Sequence, residues 1–191
     1  MNEIPLLRTA NNAQRKSQSV TAPSAPPVDG LQEYTGTWDT AQVVHLLKRT
    51  LFGARLQDIQ YFRSRTMQQA VDEILQPAAA PSVPPLNNYN INGYTDPTGV
   101  AAWQTWINTG IALADKDLNE KRIESFKTWW FGQALTSTRS IHEKMVVFWH
   151  NHFATSHAKV NSVRLMHRQN DTLRRYALGS FAGLLREMTF D

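Results

Sequence analysis

The sequence predicts an all-α fold: an irregular multi-helix array in which residues 1–37 form a disordered lead-in, residues 38–191 form a helical domain, and a long Pro/Asn-rich loop interrupts the helices. Three observations carry this expectation. Apolar residues recur at three- and four-residue spacing through most of the chain after Asp39, no alternating segment is bounded by hairpin turns, and the helical stretches open on Ser, Thr or Asp and close on Gly or Pro. A chain of 191 residues with 41% hydrophobic and 19% charged residues is long and apolar enough to build one domain around a core.

From Thr9 to Gly30 the chain is rich in Ala, Ser, Asn, Gln and Pro, and its few large apolar residues bury too little surface to offset the entropy of ordering. The first strong helix comes after Asp39 and Thr40, either of which can cap it. Val43, Val44, Leu46, Leu47 and Leu51 line one face, and Gly53 suits a left-handed exit. Two short helices come next, Leu56 to Phe62 and Met67 to Leu75, the second stopping before Pro77. Between Pro77 and Gly99 the density of proline and asparagine disfavours regular structure and implies a surface excursion, either a binding loop or a connector.

Trp103, Trp106, Ile107, Gly110 and Ile111 then read as one helical stripe, and Ile123, Phe126, Trp129, Trp130 and Leu135 as another. Aromatic residues at this spacing are assigned to the core. Ser140-Ile141-His142-Glu143 fits a capping box, which puts Phe148 to Phe153 on a helix. A last long helix runs from about Val160 to Leu178 and is closed by Gly179. Ser180 can cap a further one carrying Phe181, Leu184 and Leu185.

The composition excludes several classes. Without cysteine there are no disulfides, thiolate metal sites or cysteine nucleophiles. The charge of +4 comes from scattered Lys and Arg, so no nucleic-acid footprint is expected. No apolar run approaches the ~20 residues of a membrane span, and the N-terminus lacks the apolar region of a secretory signal, so a soluble, cytoplasmic location is the default expectation.

The segment most suggestive of chemistry is Phe148-Trp149-His150-Asn151-His152-Phe153, because imidazoles can bind metal or move protons near neutral pH. On a helix His150 and His152 point about 160° apart, so they cannot chelate one ion together and a metal would need ligands from other elements. The Met145 and Trp149 stripe predicts His152 as the more buried of the two. Downstream, Gln169 and Asn170 are amides on a helix whose Met166, Leu173 and Ala177 face inward. Asn170 therefore needs a partner and is expected to hydrogen-bond across to the histidine helix, while Arg174 and Arg175 are read as a solvated face.

The stretches His45 to Gly53, Glu143 to Ser156 and Gln169 to Gly179 resemble, in order, the hallmark blocks of the bacterial family called domain of unknown function 1800. The resemblance covers residues 38–191 apart from the Pro/Asn-rich loop. It implies a mostly helical bacterial protein with no established activity, often encoded beside a sulfatase-like partner. It also implies a longer domain, of which this chain is the N-terminal part, with a C-terminal half as a second candidate partner. Two functional readings stand side by side. In the enzymatic one, His150 and His152 are catalytic acid/base groups or ligands of a divalent metal cofactor, with Asn151, Gln169 and Asn170 as orienting amides. In the other the chain is a non-catalytic binding or assembly module working with the sulfatase-like partner, and the histidines are structural.

Overall fold

Apolar spacing along the first helices accounts for the part of the fold that forms locally, and the loops account for the rest. A computed structural model describes residues 34–110, 115–137 and 139–190. The chain divides into Met1–Gly36 and a compact unit, Thr37–Asp191. The expected disordered lead-in falls almost wholly outside the described residues.

The second unit contains, among the described residues, eight α-helices: α1 (Thr40–Thr50), α2 (Leu56–Arg63), α3 (Met67–Ile74), α4 (Lys116–Thr136), α5 (His142–His152), α6 (His157–Val160), α7 (Val163–Arg175) and α8 (Phe181–Phe190). The all-α expectation holds. The only β-feature among the described residues is an isolated antiparallel bridge between Leu86 and Thr105.

Helices α1 to α3 close over Val43, Leu47, Leu51, Phe62, Ala70 and Ile74. Asp39 caps α1 by accepting from the Ala41 amide at 2.8 Å. Thr66 and Gln69 form a reciprocal capping box on α3. The expected left-handed exit at Gly53 is absent: the positive-φ glycines among the described residues are Gly93 and Gly99. The end of α1 is instead closed from a distance, because the Lys144 ammonium of α5 donates to the Lys48 and Leu51 carbonyls at 3.0 and 2.8 Å. A cation there meets both the orphan carbonyls and the negative end of the helix dipole. Burial, with the charge of Arg49, holds the Lys144 pKa below its ordinary value.

The second cluster combines Tyr89, Val100 and Trp106 from the loop with Leu118, Ile123 and Phe126 of α4 and Val163 and Met166 of α7. Two expectations are corrected at this point. The stripe from Trp103 to Ile111 is not helical over its described part. Trp106 is fully buried, but Trp103 is exposed with φ of 65°, and Ile111 lies outside the described residues. The preceding segment is a surface excursion only in part: Ser82, Val83, Ile91 to Gly93 and Pro97 to Gly99 are exposed, but Asn87, Tyr89 and Asp96 turn inward and are buried.

Asn87 organises the loop through its side-chain amide. It donates to the Val100 carbonyl at 2.8 Å and accepts from the Tyr89 and Asn90 amides. At the other end, Arg122 of α4 donates to Asp96 at 2.9 Å, to the Tyr89 hydroxyl at 3.0 Å and to the Thr98 hydroxyl at 2.7 Å. Tyr89 in turn donates to Asp96 at 2.7 Å. Both charged side chains of this ion pair are fully buried. Burial acts to raise the Asp96 pKa, but hydrogen bonds from Thr98, Tyr89 and Arg122 outweigh it and hold the carboxyl below its ordinary value.

The third cluster, Val146, Leu173, Ala177 and Leu184, joins α5, α7 and α8. Ser180 accepts from the Gly183 amide at 3.3 Å and opens α8. The helix expected from about Val160 to Leu178 is present as α7 but shorter at both ends: the left-handed C-cap of α6, Asn161 with φ of 48°, delays its start to Val163, and it stops at Arg175. Leu135, expected in a core stripe, is 74% exposed, because it lies beyond Trp129 and Trp130, the last residues of α4 packed against the core.

Asp96→Ala leaves the Arg122 guanidinium without its counter-charge where water does not reach. We expect the unfolding free energy to fall by about 3–5 kcal/mol, read as a lower urea midpoint; an unchanged midpoint contradicts the role given to the pair. Because the folded Asp96 pKa is depressed, this stability is fully present above the unfolded carboxylate pKa and fades as pH falls through the folded one.

Candidate functional site

The helix carrying the two histidines begins one residue later than a capping box requires. Ser140 does not cap it with Glu143: the N-cap of α5 is Ile141, without a side-chain cap. The Ser140 hydroxyl donates to the Gln76 carbonyl and accepts from the His142 amide. The Glu143 carboxylate is committed elsewhere, which is why the box cannot form. It takes both terminal nitrogens of Arg174 on α7, with Nη2 to Oε1 at 2.9 Å and Nη1 to Oε2, and accepts from the Trp130 indole of α4 at 2.9 Å. Glu143 and Arg174 are both buried. Arg174 is thus not part of a solvated face; it is the central cation between α5 and α7. Its guanidinium also lies 5.6 Å from the Trp129 ring centre.

His150 and His152 fall into different surroundings. His150 packs edge-on against Trp130 of α4, with ring centres 5.0 Å apart. His152, the last residue of α5, lies among Phe148, Phe153 and Phe181 at 6.4, 4.9 and 6.4 Å. The expected order of burial is reversed: His150 is half-buried and His152 exposed. The reason is that α4 covers the His150 side of α5, whereas at the helix end His152 has only half-buried or exposed aromatics beside it. Burial holds the His150 pKa below its ordinary value, so this imidazole is neutral at neutral pH. Among the described residues neither ring is hydrogen-bonded, and no three His, Asp or Glu side chains converge as a metal-holding group.

Asn151 is exposed at the end of α5. Gln169 does cross between elements: Thr155 donates to its oxygen, and its nitrogen donates to the Phe153 carbonyl at 3.4 Å, tying the segment after α5 to α7. It lines a cavity of about 490 Å³ with Phe153, Thr155, Met166 and Met188. Asn170 does not reach the histidine helix. Its oxygen accepts from Arg174 on its own helix at 3.4 Å, so Arg174 makes the crossing that the amide was expected to make. Asn170 lines a different cavity, of about 190 Å³, with His167 and Arg174. His150 and His152 line neither of these two.

Three members of this polar layer escape sequence reasoning. Arg174 is signalled only by its place between Leu173 and Ala177 on the inward face, four residues after Asn170. Glu143 reads locally as a cap residue. His142 carries no local signal, although it is buried and accepts from the Ala78 amide at 3.3 Å. Burial, reinforced by the Arg174 charge and opposed by Glu143, lowers its pKa. His167 sits against Trp106, Phe126 and Trp129, and burial lowers its pKa as well.

Compared with known proteins, the chain matches the family described as "Protein of unknown function (DUF1800)" over residues 45–191. No curated protein and no solved structure matches it. Among the described residues no helix is long and apolar enough to cross a membrane.

Three histidines whose neutral forms the folded chain favours make stability fall as pH drops. The sign comes from linkage: each folded pKa lies below the unfolded value of about 6.5, so the unfolded chain binds protons first, and stability present above that value is lost on acidification through the folded pKa. We expect the His150 ring protons to titrate below pH ~6.5 by NMR, and His150→Phe to flatten the acid limb of the stability curve. A midpoint at or above the ordinary value contradicts its packing against Trp130.

Proposed function

The chain belongs to the DUF1800 family, and from that premise we propose that it is a non-catalytic helical binding module that docks a sulfatase-like partner protein through the aromatic and imidazole surface of α5 and α8. The observation that carries this reading is the state of that surface. Phe148 and Phe181 are 52% and 49% exposed although they flank His152, with Phe148 stacked on the imidazole at an interplanar angle of 16°. Trp149 stacks on Phe181 at 5.5 Å. Large aromatics left in water beside one another forgo the stabilisation that burial provides, and such rings dominate the centres of protein interfaces. The polar residues that an enzymatic reading would assemble are dispersed: Gln169 and Asn170 face separate cavities, and the two histidines contact different helices.

The histidine reading retains one supporting observation of its own. His150 is held neutral, with ring nitrogens that no described residue occupies, which is the state a divalent metal requires of an imidazole ligand. In that case the remaining ligands come from outside the described residues.

Both readings are tested on the chain mixed with its sulfatase-like partner. Phe148→Ser with Phe181→Ser is expected to weaken binding at least ten-fold by calorimetry, with the helical circular dichroism unchanged. Full affinity in that variant overturns the docking reading. Stoichiometric metal in the complex, lost in His150→Ala or His152→Ala, establishes the histidine reading in its place.

A further inference from the structure

Beyond the end of α3, residues 77–82 read Pro-Ala-Ala-Ala-Pro-Ser and form a strap without helix or strand. The strap flanks α7 across a cavity of about 190 Å³, with Ala80, Pro81 and Pro84 on one side and His167 and Asp171 on the other. Both of its ends are tied. The Ser140 hydroxyl donates to the Gln76 carbonyl, and the Trp129 indole donates to the Val83 carbonyl at 2.7 Å. Between those ties a single hydrogen bond joins the strap to the other described residues, from the Ala78 amide to His142 Nδ1 at 3.3 Å. Pro77 and Pro81 have no N–H to add another. Ala78 is half-buried at this contact, whereas Ala79, Ala80 and Ser82 are exposed.

The contact depends on the charge state of the ring. An imidazole nitrogen accepts only while it carries a lone pair, so Nδ1 has to be unprotonated for the Ala78 amide to bind it. In the imidazolium both nitrogens are donors, and Nδ1–H would face the Ala78 N–H, donor to donor, beside a buried side chain.

Two ionisable groups act on the ring. On α7 the Arg174 guanidinium repels a second cation, and on α5 the neighbouring Glu143 carboxylate attracts one. That carboxylate is already held by both terminal nitrogens of Arg174 and by the Trp130 indole. The strap itself carries no ionisable residue. Burial and then the Arg174 charge lower the His142 pKa, against Glu143 and a hydrogen bond to the Arg174 main chain, which raise it. The net direction is downward, so at neutral pH the ring is neutral and the Ala78 contact is made.

We propose that His142 is an acid-released latch: with the ring neutral the strap is held against α5, and protonation of Nδ1 frees residues 77–82 and opens the cavity beside α7. The closed state is fully favoured above the ordinary histidine value and is lost as pH falls through the lower pKa of the closed state. The ties at Gln76 and Val83 do not titrate there, because their donors are a hydroxyl and an indole and their acceptors are carbonyls. Opening is therefore local and comes before general acid unfolding. The latch lies apart from the aromatic surface of α5 and α8 and stands whether or not that surface docks a partner.

The test is amide hydrogen exchange of the full chain by NMR as pH is lowered through and below about 6.5, with the His142 ring signals followed in the same samples. Corrected for the intrinsic pH dependence of exchange, the protection of the Ala78 amide is expected to fall about ten-fold, the scale of one net hydrogen bond, over the interval in which His142 titrates. The amides of Val146 and Leu173, in the core of α5 and α7, should still exchange slowly once Ala78 has lost its protection. His142→Asn puts a non-titrating amide oxygen near the place of Nδ1, so Ala78 protection in that variant should no longer respond to pH. His142→Leu removes the acceptor and should leave Ala78 unprotected at neutral pH as well. The proposal is overturned if Ala78 stays protected while the ring titrates, or if it loses protection only together with Val146 and Leu173. It is equally overturned if His142→Asn shows the same acid response as the unaltered chain, or if His142→Leu keeps Ala78 protected.

Discussion

The arrangement of α4, α5 and α7 depends on one buried ion pair, Glu143 with Arg174. Its two charges lie on different helices, 31 residues apart in sequence, and meet through both terminal nitrogens and both carboxylate oxygens. Removing two charges from water costs several kcal/mol each, and the cost is offset only when geometry and additional hydrogen bonds are good. Here the Trp130 indole donates to the same carboxylate, so α4, α5 and α7 are fixed by one polar contact as well as by their apolar faces. Unlike a leucine stripe, this contact has a single register, because a shift of one residue on either helix strands a charge.

The same device recurs where the loop meets α4. Arg122 with Asp96 pins a segment that has little regular structure, while Asn87 satisfies its turns from within. The chain therefore relies on a buried polar anchor where this segment lacks periodic apolar surface, although Asp58 of α2, buried and paired with Arg55 and Arg139 at 2.6 and 2.9 Å, shows that the helical part has one too. In α1 to α3, periodic apolar surface carries the packing, through Val43, Leu47, Phe62 and Ile74. Lys144 links the two regimes, since it extends from α5 to close the end of α1.

This division explains what the residues reveal on their own. Helices α1 to α3 are legible nearly to their ends, because amphipathic spacing and local caps are encoded within a few positions. The stretch that starts at Trp103 misleads because its spacing is helical while the conformation of its described part, Trp103 to Gly110, is set by distant groups, the Asn87 carbonyl that accepts from the Trp103 amide and the Ser125 hydroxyl that accepts from the Trp106 indole. The apparent capping box at Ser140 fails for the same reason: Glu143 has a stronger partner that no local pattern reveals. At the candidate site, the amides and histidines are recognisable as unusual residues in apolar settings, but which of them share a cavity depends on the crossing of α5 and α7.

A chain held together in this way leaves its histidine helix divided, with Trp130 and Arg174 stabilising one side and a bare aromatic surface on the other. The most direct measurement is a double-mutant cycle on Glu143→Leu and Arg174→Met, followed by urea unfolding. The account requires each single substitution to cost about 3–5 kcal/mol, since each strands a buried charge, and the double variant to cost far less than their sum, with a coupling above about 2 kcal/mol. Effects that add to within about 0.5 kcal/mol would contradict it, and would mean that the apolar faces alone set how these helices cross.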